Sequence, residues 1–128
     1  MKRISLLAVY VKDYDAAIEF YTRKLGFLLA EDVPFGPKRW VTVRLPEDDL
    51  LTIALNLAET DEDRALVGKQ GGSQPFFGIV TDDCVADYRR MKDAGVTFHG
   101  EPQVQPWGTG VTLEDLYGNK IYLNQEPA

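Results

Sequence analysis

Cysteine and histidine are nearly missing from this chain, whose 128 residues hold one of each, Cys84 and His99. A lone cysteine closes no internal disulfide, so a reducing, cytoplasmic setting is expected. Its only histidine partner sits in a separate segment, so Cys84 reads as a small packed side chain rather than a nucleophile. No apolar run approaches the roughly 20 residues that a membrane helix requires, so no membrane partner is expected. Positive charge is also scarce, with 14 basic against 20 acidic residues and a net charge of −6. Without a basic cluster interleaved with aromatics, nucleic acid is not an expected partner either. The opening MKRISLLAVYVKD is basic and then apolar, as a secretory signal is. Its apolar part alternates, runs into a helix start and lacks a small-residue cleavage site, so it reads as a first strand.

What is present is an ordered series of elements, written twice. ISLLAVYV at 4–11 reads as a strand, and Asp13 then caps a helix over DYDAAIEFYTRKLGF. Ala17, Ile18, Tyr21 and Leu25 share one face of that helix, and Gly26 stands where a C-terminal glycine ends it. Strands follow near 27–33, 39–45 and 50–57, the last two joined by the polar turn PEDD. Residues 58–74, acidic and then glycine-rich, read as a linker with one helical turn around 61–67. FFGIV at 76–80 then opens a second series. Asp82 or Asp83 caps a helix striped by Val85, Tyr88 and Met91, Gly95 ends it, and strands follow near 96–99, 110–114 and 119–124. The turn DLYGN joins the last two strands. IALN at 53–56 and IYLN at 121–124 close the two halves with nearly the same word. The repeated order β-α-β-β-β makes tandem duplication the better explanation of that match.

The words VKDYDAAIEFYTRKLGF, TDDCVADYRRMKDAGV and EDLYGNKIYLN, in this order, resemble the vicinal oxygen chelate superfamily, which includes glyoxalase I, bleomycin-resistance proteins and extradiol dioxygenases. The resemblance spans essentially the whole chain, with Leu116 where the family's last turn carries proline. It implies an α+β fold of two tandem βαβββ modules, whose curled sheets form a shared cleft with helices outside. Module 1 would span about 1–57, the linker about 58–74 and module 2 about 75–126. It also implies a homodimer. Metal-dependent members place one ligand on the first and one on the fourth strand of each module. The matching positions here are Leu6, Ala54, Phe76 and Tyr122. Three of these have no lone pair to offer, and a phenol seldom ligates alone. No metal and no other cofactor is therefore expected, and metal-assisted isomerisation or ring cleavage loses its electrophile. The carboxylates Glu31, Asp32 and the 61–63 run read as loop and turn residues that nothing gathers around an ion.

Strand alternation projects the side chains that share a face with those four positions. In module 1 they are Leu6, Ala8, Trp40, Thr42, Arg44, Thr52, Ala54 and Asn56. In module 2 they are Phe76, Gly78, Val80, Gly110, Thr112, Lys120, Tyr122 and Asn124, with Trp107 just before its strand. The alternate positions, such as Val9, Ile53, Leu55, Ile121 and Leu123, are uniformly apolar. A lining of this kind suits a flat, partly polar organic molecule. The expectation is a metal-independent small-molecule-binding protein with no assigned catalytic residue. The open alternative is a lyase-, isomerase- or dioxygenase-like enzyme of the same superfamily, using acid–base chemistry through Tyr122, His99 or Arg44, or an unrecognised metal. Each residue also has a structural reading: Trp40 and Trp107 as filler, Arg44 as a solvated strand end, Tyr122 as a core tyrosine, His99 as a surface histidine.

Overall fold

The computed structural model describes all 128 residues, Met1–Ala128, as two compact units, Met1–Val67 and Gly68–Ala128. Each unit is a βαβββ module of an α+β fold. The first runs β1 (Leu6–Val11), α1 (Tyr14–Glu19, continued by a wider turn over Phe20–Lys24), β2 (Leu28–Phe35), β3 (Lys38–Arg44) and β4 (Thr52–Leu57). A short helix, α2 (Asp61–Leu66), closes it. The second runs β5 (Phe77–Val80), α3 (Cys84–Asp93), β6 (Phe98–Gln105), β7 (Gly108–Glu114) and β8 (Lys120–Gln125). The sheet orders are equivalent, β1-β4-β3-β2 and β5-β8-β7-β6, with the outer β1/β4 and β5/β8 pairs parallel. The structure thus carries the duplication that two four-letter words announced.

Local chemistry explains the helix bounds. Asp13 accepts the Ala16 amide at 2.7 Å and Asp83 accepts the Ala86 amide at 3.0 Å, satisfying N-terminal donors that have no helical partner. Gly26 (φ 81°) and Gly95 (φ 95°) end the two helices in the left-handed region that side chains avoid. The caps stand 70 residues apart and the glycines 69 (83 − 13 and 95 − 26), so the first helix contains one extra residue. The wide turn at Phe20–Lys24 absorbs it, which is how a helix takes up a single insertion without losing its register at either end. In α3 the buried positions are Cys84, Tyr88 and Met91; Val85, expected on the stripe, is 38% exposed. Cys84 takes that place because the packed face follows 84, 88 and 91.

One face of each sheet is apolar and covered by its own unit's helix. Val9, Val43, Ile53 and Leu55 are buried in the first, and Val111, Leu113, Ile121 and Leu123 in the second. Tyr21 is 1% exposed and packs edge-on to Phe27 with ring centres 5.3 Å apart, which anchors the first helix. At roughly 1.5–3 kcal/mol per large side chain buried, these two rows are the main source of each module's cohesion. The DLYGN turn is held by a buried carboxylate. Asp115 accepts the amides of Tyr117, Gly118 and Asn119 (3.1, 3.1 and 2.9 Å) and the Asn119 side chain at 3.0 Å.

Two sequence readings change. Glu31 and Asp32 are not loop residues but lie within β2, and β6 extends through Gln105 rather than ending near residue 99. Both strands carry an irregularity, at Leu29/Glu31 and at His99/Gln103; β2 falls where a strand was expected near 27–33, whereas the break in β6 hid its extension beyond residue 99. The acidic run at 61–63 is the first turn of α2. Thr60 accepts the Asp63 amide at 3.1 Å, the acids face the positive helix end, and Asp63 bonds the Tyr10 phenol and pushes its pKa up.

Candidate functional site

The residues opposite each helix-covered face form rows running straight across the sheet. In the first unit the strand register aligns Ala8, Ala54, Thr42 and Glu31. In the second it aligns Gly78, Tyr122, Thr112 and His99. Because the sheet orders match, Ala54 corresponds to Tyr122, Thr42 to Thr112, and Glu31 to His99. Cross-strand partners project to the same side, so each row is one line of side chains. Each row therefore ends, on its β2 or β6 edge, in an ionisable residue that strand alternation had not projected.

In the first unit Glu31 organises the row. Its Oε1 accepts the Trp40 indole N–H at 3.2 Å and the Thr42 hydroxyl at 3.3 Å. Thr42 is fully buried and Ala54 is 1% exposed, so neither presents surface of its own. Trp40, Thr52 and Asn56 are half-buried, while Leu6 and Ala8 are exposed. Arg44 turns its guanidinium to the carbonyls of Leu45 and Pro46, both at 3.2 Å, which ties it to the strand end.

In the second unit the phenol of Tyr122 accepts the Trp107 indole N–H at 3.0 Å. Its ring lies over Gly110, where any side chain would collide with it, so the glycine is required by this contact rather than by its backbone angle. Trp107 is 59% exposed and presents most of its ring outward. Beside it, Asn124 donates to the Trp107 carbonyl at 3.4 Å, while its Oδ1 is buried without a partner. Such an acceptor is costly to leave unsatisfied, and here it is shielded from solvent as well. Phe76 precedes β5 and donates its amide to the Lys120 carbonyl at 2.7 Å; Thr112 is half-buried and Gly78 exposed. His99 is no free surface histidine. Its Nε2 lies 2.6 Å from Glu114 Oε2, and this pair shares the face of Thr112 and Tyr122.

The donor set at Leu6, Ala54, Phe76 and Tyr122 amounts to one phenol, already bonded to Trp107. No group of three or more His, Cys, Asp and Glu side chains is gathered to hold an ion elsewhere. These residues do not fit a divalent metal at the position its relatives use.

Residues 3–123 match the family model described as the Glyoxalase/Bleomycin resistance protein/Dioxygenase superfamily. An uncharacterized protein of Shewanella frigidimarina (strain NCIMB 400) is 42% identical over 115 residues, covering 88% of this chain and 85% of that protein. Among solved structures, UcmS2 superposes with a TM-score of 0.87 at 32% identity, covering 97% of this chain and 98% of that one. TnmS3, an antibiotic binding protein from Streptomyces sp. CB03234, gives a TM-score of 0.80 at 31% identity, covering 99% and 98%.

Proposed function

The chain belongs to the glyoxalase/bleomycin resistance protein/dioxygenase superfamily, and from that premise we propose that it binds a planar, partly polar organic molecule without a metal. The observation that carries this reading is the Trp107–Tyr122 pair, a largely exposed indole held in place by a phenol. The indole offers a stacking surface that is already ordered, so binding costs little side-chain entropy. Tyr122 uses an oxygen lone pair on Trp107, which leaves its own proton to donate to a ligand carbonyl. The likeness to TnmS3, whose description is that of an antibiotic binding protein, supports a natural-product ligand. Phe76, Gly78 and Thr112 complete the proposed contact set of the second unit; in the first, Leu6, Ala8, Trp40, Thr52 and Asn56 are proposed ligand contacts of its own helix-free face, with Thr42, Arg44 and Ala54 beneath them. We place the protein in the cytoplasm as a homodimer, whose open β-edges a second copy would cover.

The experiment is a thermal-stability screen against planar metabolites and antibiotics. A ligand at a hundred times its Kd raises stability by about 2.7 kcal/mol, and the same compound should quench tryptophan fluorescence. A hit whose affinity Trp107→Ala leaves unchanged would contradict the proposed site.

A second reading rests on the His99–Glu114 pair. A carboxylate that orients an imidazole is the ordinary form of a general base, and this one shares a face with Tyr122. On that reading the protein turns its ligand over by proton transfer. Deuterium exchange from solvent into a bound ligand, lost in His99→Gln, would establish it; no exchange would leave binding alone.

A further inference from the structure

We propose that Glu31 is a recognition residue for a cationic ligand group, so that the molecule bound is a flat apolar body bearing a protonated amine. This rests on the small-molecule-binding reading above and deepens it. Glu31 stands at the edge of the first sheet's helix-free face, at the position equivalent to His99. Both its internal bonds, from Trp40 and Thr42, are made by neutral donors to Oε1, which leaves Oε2 unbonded. The three cations of the β2–β3 hairpin are committed elsewhere. Arg39 bridges Asp32 (2.8 Å) and Asp15 (3.0 Å), Lys38 pairs with Glu59 (2.9 Å), and Arg44 is bonded to turn carbonyls. Glu31 is thus the one carboxylate of the β2–β3 hairpin with no positive partner.

Its surroundings define the rest of the ligand. Val33 and Phe35 follow it on the same face of β2, 48% and 62% exposed, and Val33 is paired with Trp40. An apolar strip with one fixed carboxylate complements an apolar body with one cation. Two donors lock the acid's orientation before the ligand arrives, and a bond from an ammonium to a carboxylate is roughly twice as strong as a neutral one. An anionic ligand is disfavoured on this face by the same carboxylate, and the chain's net charge of −6 acts in the same direction.

The test uses 1-pyrenemethylamine and its N-acetyl derivative, which share the aromatic body and differ in charge, titrated against intrinsic tryptophan fluorescence at low salt. The expected result is a preference for the amine of about tenfold, as one charged hydrogen bond provides. Glu31→Gln keeps an acceptor for Trp40 and Thr42 but removes the charge. It should reduce the preference to about twofold or less, through a loss of amine affinity larger than any change in N-acetyl affinity. Equal affinity of the two probes for the wild type, or a preference that survives Glu31→Gln, would overturn the assignment while leaving small-molecule binding intact. Failure of both probes, and of every compound in the stability screen, would overturn the binding reading itself. If sedimentation shows a dimer that Phe35→Ser dissolves and that excludes the amine, the strip belongs to a second copy of the chain and the proposal is also overturned.

Discussion

Adding one methyl group at Gly110 offers a test of the helix-free face that needs no ligand. A Cβ built there runs into the Tyr122 hydroxyl and ring and stands 3.0 Å from the Leu123 carbonyl, so Gly110→Ala forces the phenol to move. Overpacking of this kind costs about 1–3 kcal/mol. Replacing a strand glycine with alanine returns about 0.5–1 kcal/mol through the unfolded chain. The net expectation is a loss of about 1–2 kcal/mol, together with a change in Trp107 emission as its bond to Tyr122 breaks. The decisive comparison is a double-mutant cycle in urea. In a Tyr122→Ala background the obstructing ring is gone, so the same Gly110→Ala change should be neutral or slightly stabilising. The coupling between the two sites should then be about 1–2 kcal/mol, far above the few tenths expected for independent positions. An equal cost in both backgrounds would show that Tyr122 does not lie over Gly110, and the ligand surface drawn from it would fail.

Cys84 is fully buried, and burial, with Asp87 and Asp83 nearby, pushes its thiol pKa up. It should react with a thiol reagent only as fast as the protein opens, and rapid modification under native conditions would refute its packing. Arg39 holds the Asp32 carboxyl below its ordinary value of 3.8, mainly through their hydrogen bond. A carboxyl lowered in the folded state stabilises above that value, and the gain is lost as pH falls through the folded one. Arg39→Ala should therefore lower the melting temperature only slightly at pH 7, because the pair is partly exposed, and the melting temperatures of mutant and parent should converge in acid. A constant gap down to acid unfolding would show that the loss was packing rather than charge.

The repeated element order was legible because its signals are local. Capping aspartates, end glycines and period-two strands need no tertiary information, and they place α1, α3 and seven of the eight strands closely. The row residues Ala8, Ala54, Thr42, Gly78, Tyr122 and Thr112 were legible for the same reason. Glu31 and His99 were not. Alternation fails where a bulge intervenes, at Ala30 on β2 and between His99 and Gln103 on β6, and those bulges set the two edge residues on their rows. Nor does a sequence say that Glu31 is bonded by Trp40, nine positions away, or that His99 meets Glu114, fifteen positions away. The signal that existed was comparative: once the halves are aligned by their glycines, 31 and 99 fall at nearly matching places after Gly26 and Gly95, both ionisable. The extra residue in the first helix was not legible, because Asp82 and Asp83 were both cap candidates and only Asp83, which the structure selects, gives the change in spacing from 70 to 69.

Metal-independent binding is the central claim, and one titration tests it most directly. Protein dialysed exhaustively against chelator, then checked by elemental analysis for zinc, nickel, manganese and iron, is titrated calorimetrically with the best compound of the stability screen. The account predicts well under one ion per chain and the same affinity before and after chelation. It also predicts a loss of about 1 kcal/mol or more in binding on Trp107→Ala, since the indole stacks on the ligand. An ion at unit occupancy, or an affinity that chelation removes and added metal restores, would contradict it.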